Sequence, residues 1–407
     1  MQFGPILRAL MHNKTRFWLI TLEVALTLAI VVNCIAVTLD FRSQYTRPSG
    51  IDEEHLAVVI AEPFAPEFAE ETFVEDLERE DLERLRSLPG VHDAMATTMV
   101  PLSGGGSATG RKALGSELDG ETAPYYVVSD HVLATYGLEL LAGRDFEPGD
   151  FEFSEDENGD VPHRNILVTQ MLANALYPDG DALGGVIQNG EGQLTNTIVG
   201  IVSDMDNSWP SAIEIKHRVM FLPGQPGHDR RMRYVVRAEA GAFDSVLSEL
   251  EELMLATNSG RIVTVETIAE YRRDYYEQQL AMIKMLTAVS VLLLLITSLG
   301  IVGLTAFSVT QRTRQIGTRR ALGATRGDIL RYFLVENWII TGIGLLIGTV
   351  LTFGLNFALV HIADAPKLDW PLLFGGMALL WATGVVAALV PALRASKVAP
   401  EIATRTI

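Results

Sequence analysis

Six arginines crowd one short polar stretch of this 407-residue chain. Arg312, Arg314, Arg319, Arg320, Arg326 and Arg331 stand against a single acidic residue, Asp328, before the next apolar run begins. Arginines at that density hold a short loop on the cytoplasmic side of a membrane. They do not account for the Ala321-Leu322-Gly323-Ala324-Thr325 run between them. A small-residue stretch with one leucine, flanked by cations, is shaped for close docking into another protein's groove. Catalytic chemistry finds little support elsewhere. No Gly-Lys dipeptide occurs, so no phosphate-binding loop of the Walker A type can form. The eight histidines make no HxxxH pair or Cys/His cluster that would hold zinc. Asp156, Asn158 and Asp160, in the acidic run Glu147–Asp160, begin like a calcium loop. Val161 stands where that loop needs glycine and Leu167 where it needs glutamate, so the run reads as a solvated acidic loop. No Gly-x-Ser-x-Gly elbow is present.

The elements that must position the arginine stretch are membrane helices. Phe17–Leu39, Met282–Val309, Leu334–Val360 and Trp370–Leu393 each reach the length, about 20 residues, that crosses a hydrocarbon core. Gly300, Gly303, Gly342, Gly344, Gly348 and Gly354 lie inside them, where small residues let helices approach closely. The first span has the basic start of a signal peptide (Arg8, Lys14, Arg16), but its apolar run is too long and no small-x-small cleavage site follows, so it reads as a retained anchor. Charge sets the orientation. Residues 40–280 hold 18 Lys+Arg and 44 Asp+Glu, leaving 14 and 6 for the rest of the chain. The basic residues flank the spans at the N-terminus, in the arginine loop and in the tail (Arg394, Lys397, Arg405). Both termini and that loop are therefore cytoplasmic, with 40–280 and 362–369 outside. The resulting plan is a cytoplasmic N-terminus (1–16), spans at 17–39, 281–310, 334–360 and 370–393, an extracytoplasmic domain (40–280), a cytoplasmic loop (311–333), a short outer loop (361–369) and a cytoplasmic tail (394–407). The soluble part carries no basic patch for nucleic acid. Glu23 is about two turns into the first span, where a charge costs at least about 2.5–3.5 kcal/mol and must face a partner or an interface. It reads either as a coupling carboxylate or proton relay, or as a glutamate hydrogen-bonded between helices near the surface; its isolation favours the second.

The outer segment is long enough for one large or two small domains. The single cysteine, Cys34, lies in the first span, so packing rather than disulfides must hold the outer part. The pattern is mixed. Strands are predicted at His55–Ala61, Tyr125–Val128, Ile166–Val168, Thr197–Val202, Tyr234–Arg237 and Ile262–Val265. Helices are predicted at Val74–Leu88, with Leu77, Leu82, Leu85 and Leu88 as its apolar positions, and at Gln170–Leu176 and Ala242–Ala256. A further helix, Ala269–Ala281, contains no Pro or Gly and is predicted to run unbroken into the second span, as a stiff connector. The fold class is thus an α-helical membrane domain of four transmembrane helices plus an α+β extracytoplasmic domain inserted between the first and second spans.

Arg312-Thr313-Arg314-Gln315-Ile316-Gly317-Thr318-Arg319-Arg320-Ala321-Leu322-Gly323-Ala324-Thr325 closely resembles the loop between the second and third spans of MacB/FtsX-like ABC transporter permeases. The tail Pro391-Ala392-Leu393-Arg394-Ala395 to Pro400 is similar to that family's terminus, and Leu82–Val91, Tyr136–Phe146, Asn174–Val186 and Ile198–Asp204 resemble parts of its outer domain. The likeness covers essentially the whole chain. It departs at Gln315, where the family has an acidic residue, and at Thr318, where it has an aliphatic one. The resemblance implies a bacterial inner-membrane permease subunit, not itself an enzyme and without a cofactor of its own. ATP would be bound by an ABC ATPase on a separate chain, docked on Arg314–Gly317 and Arg319–Thr325. It also implies a second permease copy or paralogue in the membrane. For several members it implies a periplasmic adaptor and an outer-membrane channel, which receive periplasmic cargo moved by mechanotransmission. The same architecture also serves as a regulator that transmits ATPase state to a wall hydrolase or sensor. Leu102-Ser103-Gly104-Gly105-Gly106 is similar to the ABC ATPase signature, but it lies outside and no P-loop accompanies it, so it reads as a flexible loop.

Overall fold

The computed structural model describes residues 14–117, 120–151, 163–189, 195–226, 231–363 and 365–399. The calcium-loop candidate Asp156–Asp160, with Val161, and the basic residues Arg8 and Arg405 lie outside the described residues. Residues 46–277 form one compact unit, and the segments on either side of them form another.

The membrane unit holds four long apolar helices: α1 (Lys14–Thr46), α7 (Glu277–Gln311), α9 (Arg326–Ala363) and α10 (Trp370–Ser396). The short helix α8 (Thr313–Ala321) joins α7 to α9. Helix α1 is the hub. Its residues Ile20, Val24, Leu28 and Val32 form one buried cluster with Ile301 of α7, Ile340 and Leu345 of α9, and Leu373 and Leu380 of α10. Gly344 and Gly348 of α9 bring that helix against Val24, Ala25 and Leu28, where any added methyl would collide. Gly303, Gly342 and Gly354 instead meet nothing within 4 Å, so only some of the membrane glycines serve packing inside the chain. Polar side chains add cross-links. Asn33 donates to the Thr352 carbonyl at 3.2 Å and accepts from Asn356 at 3.1 Å, and Asn337 donates to the Gly384 carbonyl at 3.0 Å. In a medium without water such groups must find protein partners.

The outer unit is a single α+β body built on two sheets. Strand β1 (Leu56–Pro63) lies between β10 (Met232–Ala238) and β11 (Arg261–Thr267), with β2 (Val91–Ala96) beyond β10, all antiparallel. Period-two alternation splits β1 between two cores. Ala57, Val59 and Ala61 pack with Leu82 and Leu85 of α2 (Glu71–Ser87) and Leu250 and Met254 of α5 (Phe243–Thr257). Leu56 and Val58 join a second core with Tyr126 and Phe221 of the other sheet and Tyr136 of α3 (Val132–Tyr136). That other sheet comprises β3 (Ala108–Ala113), β4 (Glu121–Val128), β5 (Leu140–Gly143), β6 (His163–Thr169), β7 (Val186–Asn189), β8 (Thr195–Val202) and β9 (Met220–Pro223). The order β8-β6-β9-β4-β3-β7 closes on itself because β7 also pairs with β8, and β5 hangs on the other half of β8. Helix α4 (Gln170–Leu176) buries Leu172, Ala173 and Leu176 against this barrel.

Two expectations change. Helix α6 (Ile268–Tyr275) does not run unbroken into α7. Tyr276, at φ −96° and ψ 9°, leaves the α-helical well between them. Tyr276 is fully buried and the Tyr275 hydroxyl meets the Ser211 hydroxyl at 2.5 Å, so packing within the outer unit fixes these residues in place of helical register. The triple-glycine loop is tied to the outer unit at its start. Leu102 is fully buried, its amide donates to the Asn207 carbonyl at 3.1 Å, and the Trp209 indole donates to the Gly104 carbonyl at 2.9 Å.

Candidate docking site on the arginine loop

Helix α8 is seated by one aliphatic side chain and one arginine. Ile316 is 4% exposed and packs with Ile329 and Phe333 of α9 and Ala392 and Ala395 of α10. Arg312, at the N-cap of α8, reaches Glu336 of α9 at 3.2 Å and the Tyr332 hydroxyl at 3.4 Å. The Arg319 guanidinium lies 4.9 Å from the centre of the Tyr332 ring, a cation–π contact from the same helix. Glu336 is 1% exposed, so the arginine supplies the counter-charge a buried carboxylate requires. The pair leaves no local signal in the sequence, because only the return of α9 beside α8 brings residues 24 positions apart together.

The turn after α8 is fixed as firmly. The amide of Gly323 donates to the Arg320 carbonyl at 3.2 Å and that of Ala324 to the Arg319 carbonyl at 3.0 Å. These two bonds are the Schellman closure of a helix, and Gly323 takes the left-handed position it needs, φ +100°. Thr325 then caps α9. Its hydroxyl accepts from the Asp328 amide at 3.2 Å, while Asp328 accepts from the Thr325 amide at 2.9 Å and hydroxyl at 2.7 Å. Those bonds hold the Asp328 carboxyl below its ordinary range.

The loop residues therefore divide. Ile316 and Gly317 are buried in the chain's own packing and offer nothing to a partner. Arg320 and Ala324 are partly buried. Arg314, Gln315, Arg319, Ala321, Leu322, Gly323 and Thr325 are exposed, Leu322 at 83%. The outcome is a rigid, cation-flanked apolar knob. Rigidity matters because a pre-ordered turn pays little entropy on binding.

Glu23 lies elsewhere, on the face of α1 that meets α7. A methyl on Gly300 would collide with its carboxyl, and one turn on, the Thr27 and Thr297 hydroxyls bond at 2.8 Å. Its carboxylate makes no hydrogen bond or ion pair among the described residues, and the geometry is that of a helix–helix interface. In the outer unit, a cleft of about 860 Å³ opens beside α2, with Glu75, Glu83 and Asp145 beside Phe146 and Phe151. Among the described residues no three His, Cys, Asp or Glu side chains gather as a metal cage.

Four apolar helices, a large α+β domain between the first two, and an arginine-flanked turn between the second and third define a multi-span membrane protein. Over residues 17–270 the chain matches the family model of the MacB-like periplasmic core domain, and over 287–400 that of the FtsX-like permease C-terminal region. The chain belongs to the MacB/FtsX-type ABC transporter permeases, as an inner-membrane protein with a periplasmic domain. It is 26% identical over 272 residues to the macrolide export ATP-binding/permease protein MacB of Chromobacterium violaceum, covering 65% of this chain and 40% of that one. The chain thus spans well under half the length of that relative. It is 27% identical over 378 residues to the ABC transporter permease YvrN of Bacillus subtilis, covering 88% of this chain and 84% of the relative. The solved periplasmic region of MacB from Actinobacillus actinomycetemcomitans is 14% identical, covers 57% of this chain and 94% of its own, and superposes with a TM-score of 0.35.

Proposed function

We propose that this permease couples ATP hydrolysis by a separate ATPase subunit to movement of its periplasmic domain, for export of periplasmic cargo. The observation that carries the reading is the exposed Leu322–Gly323 knob, held on α8 by Ile316 and Arg312. An ATPase groove that takes Leu322 gains a handle on the starts of α9 and α8 and the end of α10 together, since all three meet at Ile316. Closure of an ATPase pair then biases the membrane helices between two arrangements, which is what coupling requires. Glu23 in this reading is a packing residue between α1 and α7, not a proton relay. The MacB relative's name joins ATP binding and permease in one protein, and this supports pairing the permease with an ATPase. The break at Tyr276 shapes the mechanical part: α6 and α7 act as two rods with a one-residue joint. Cargo leaves through an adaptor and an outer-membrane channel, and the permease works as a pair. The alternative, a regulator that signals ATPase state to a wall hydrolase or sensor without moving cargo, uses the same knob and differs in its periplasmic partner.

The test is affinity purification of the intact, solubilised protein after cross-linking, with mass spectrometry of what accompanies it. A nucleotide-binding subunit that is lost in the Leu322→Ala variant supports coupling. An adaptor beside it selects export, and a hydrolase or sensor selects regulation. Recovery of no ATPase after cross-linking refutes the reading.

A further inference from the structure

The outer unit carries a buried carboxylate beside both of its junctions with the membrane helices. Arg47 directly follows the end of α1, and Tyr276 directly precedes the start of α7. Both lie close to Asp206, which is fully buried. The Arg47 Nη2 is 3.7 Å from Asp206 Oδ2, and the His217 Nδ1 is 3.2 Å from Asp206 Oδ1. Arg272 of α6, itself gripped by Glu53 at 2.6 Å, and Lys216 add further positive charge around the carboxylate. Asp204, two residues back, instead accepts from the Met171 amide at 2.8 Å. Burial, with Asp206 adding to it, pushes the Tyr276 and Tyr126 phenols up, so both stay neutral.

The hold that Asp206 exerts is coulombic. Among the described residues neither of its carboxylate oxygens accepts a hydrogen bond, and the Arg47 Nε and His217 Nδ1 make none. A hydrogen bond can survive protonation of a carboxylate, whereas the attraction between charges ends with it. Burial pushes Asp206 up, against the pull of Arg47, His217, Arg272 and Lys216, so it takes its proton above the ordinary carboxylate range. A carboxyl raised in this way does not weaken the fold as pH falls through its folded value, because the folded state is the one that binds the proton better. Arg47 is what loses. With Asp206 neutral, Arg47, Lys216, Arg272 and a protonated His217 face one another while Glu53 is committed to Arg272. Burial and Arg47 already push Lys216 below its ordinary value. Arg47 can leave this crowd, since its side chain is 25% exposed. Among the described residues it then keeps one neutral bond, to the Pro210 carbonyl at 3.0 Å, for which water substitutes at little cost. The chain just beyond it cannot follow. The Asp206 amide donates to the Ser49 carbonyl at 2.6 Å, and Gly50, at φ +84°, passes so close to the Asp204 carbonyl that an added methyl would collide. Release is therefore confined to Arg47 and Pro48, between α1 and that anchor.

We propose that Asp206 is a proton-sensitive clamp: ionised, it draws Arg47 in so that the outer unit holds the ends of α1 and α7 as one body, and protonated, it lets Arg47 go and loosens α1 while α7 stays attached. The clamp belongs to the outer unit and needs no ATPase; its effect on coupling rests on the docking proposed above. The test places a nitroxide label at Thr46→Cys, with the native Cys34 changed to serine, in the full-length protein in lipid nanodiscs without ATPase. Label mobility is read between about pH 8 and about pH 4, and circular dichroism gives the unfolding midpoint. The mobile fraction should rise by about fivefold or more in one step above the ordinary carboxylate range, with no fall in midpoint across that step. Asp206→Asn should show the mobile spectrum already at about pH 8 and no step below it. A merely structural role for Asp206 would lower the midpoint of that variant without giving the parent protein a step. Where Asp206→Asn fails to fold, Arg47→Gln carries the test, with a mobile label at every pH. A folded parent protein whose label stays immobile throughout overturns the clamp, as does a persisting step or an immobile label in the folded variant. No ATPase is present, so these outcomes are independent of whether the knob docks one.

Discussion

Truncating Leu322 separates docking from folding. The side chain is 83% exposed and belongs to none of the buried clusters, so Leu322→Ala should change stability by no more than about 0.5 kcal/mol. If an ATPase groove buries it, the three lost carbons, at about 0.8 kcal/mol each, remove about 2 kcal/mol of binding, roughly thirtyfold in affinity. The assay titrates purified permease in lipid nanodiscs with its ATPase subunit, reading affinity and stimulated hydrolysis, while thermal unfolding of the permease alone supplies the control. Ile316→Ala gives the contrast. Ile316 is 4% exposed, so it should lower stability by about 2–5 kcal/mol and impair coupling by unseating α8. An unchanged affinity for Leu322→Ala, with the ATPase bound elsewhere, refutes the docking argument.

The turn, the buried pair and the outer domain give three more predictions. Gly323→Asn should keep the melting temperature, because asparagine tolerates the left-handed conformation, whereas Gly323→Val should lose about 1–2 kcal/mol. Both should weaken ATPase binding, since the new side chain stands in open space where the partner docks; unchanged affinity in the folded Asn variant removes Gly323 from the contact. Arg312→Met leaves Glu336 buried without its arginine and should cost about 3 kcal/mol, seen as a lower melting temperature and faster proteolysis of α8. A stability equal to wild type would mean the pair does not seat that helix. Asp150, bonded by Arg144 at 2.6 Å and Asn165 at 2.7 Å, is held down to about 2. A depressed carboxylate stabilises the fold above its unfolded value and loses that effect as pH falls through its folded value. Wild type should therefore lose about 1–2 kcal/mol more than Asp150→Asn between about pH 4 and pH 2 in denaturant titrations, and parallel pH profiles would contradict it.

Some of this protein is written along the chain. Four apolar runs and the sign of the flanking charges determine spans and sidedness, because insertion responds to local hydropathy and to arginine and lysine. The helix Gln170–Leu176 is legible for a similar reason: Pro178, two residues past its end, marks where it stops. The short strands β3, β5, β7 and β9 are not, since four to six residues carry too little periodicity and β9 is placed by pairing with β4 and β6 far away in sequence. The interior of α2 shows the same limit. Leu77, Leu82 and Leu85 announce its buried face, but Asp81 is buried beside them, because Arg261 and the Tyr234 hydroxyl meet it from strands some 150 residues or more downstream. The arginine loop reveals its own composition, whereas the inward turn of Ile316, the outward turn of Leu322 and the Arg312–Glu336 pair exist only once α8, α9 and α10 are packed. The cavity bounded by Arg111, Arg164 and Asn196 is likewise invisible in the sequence: the three belong to three strands, and only closure of the barrel sets them around one space. Hydropathy, charge and capping act within a few residues of chain, so sequence alone can fix them. Burial, counter-charge and concavity are properties of surfaces assembled from distant segments, and only the tertiary structure decides those.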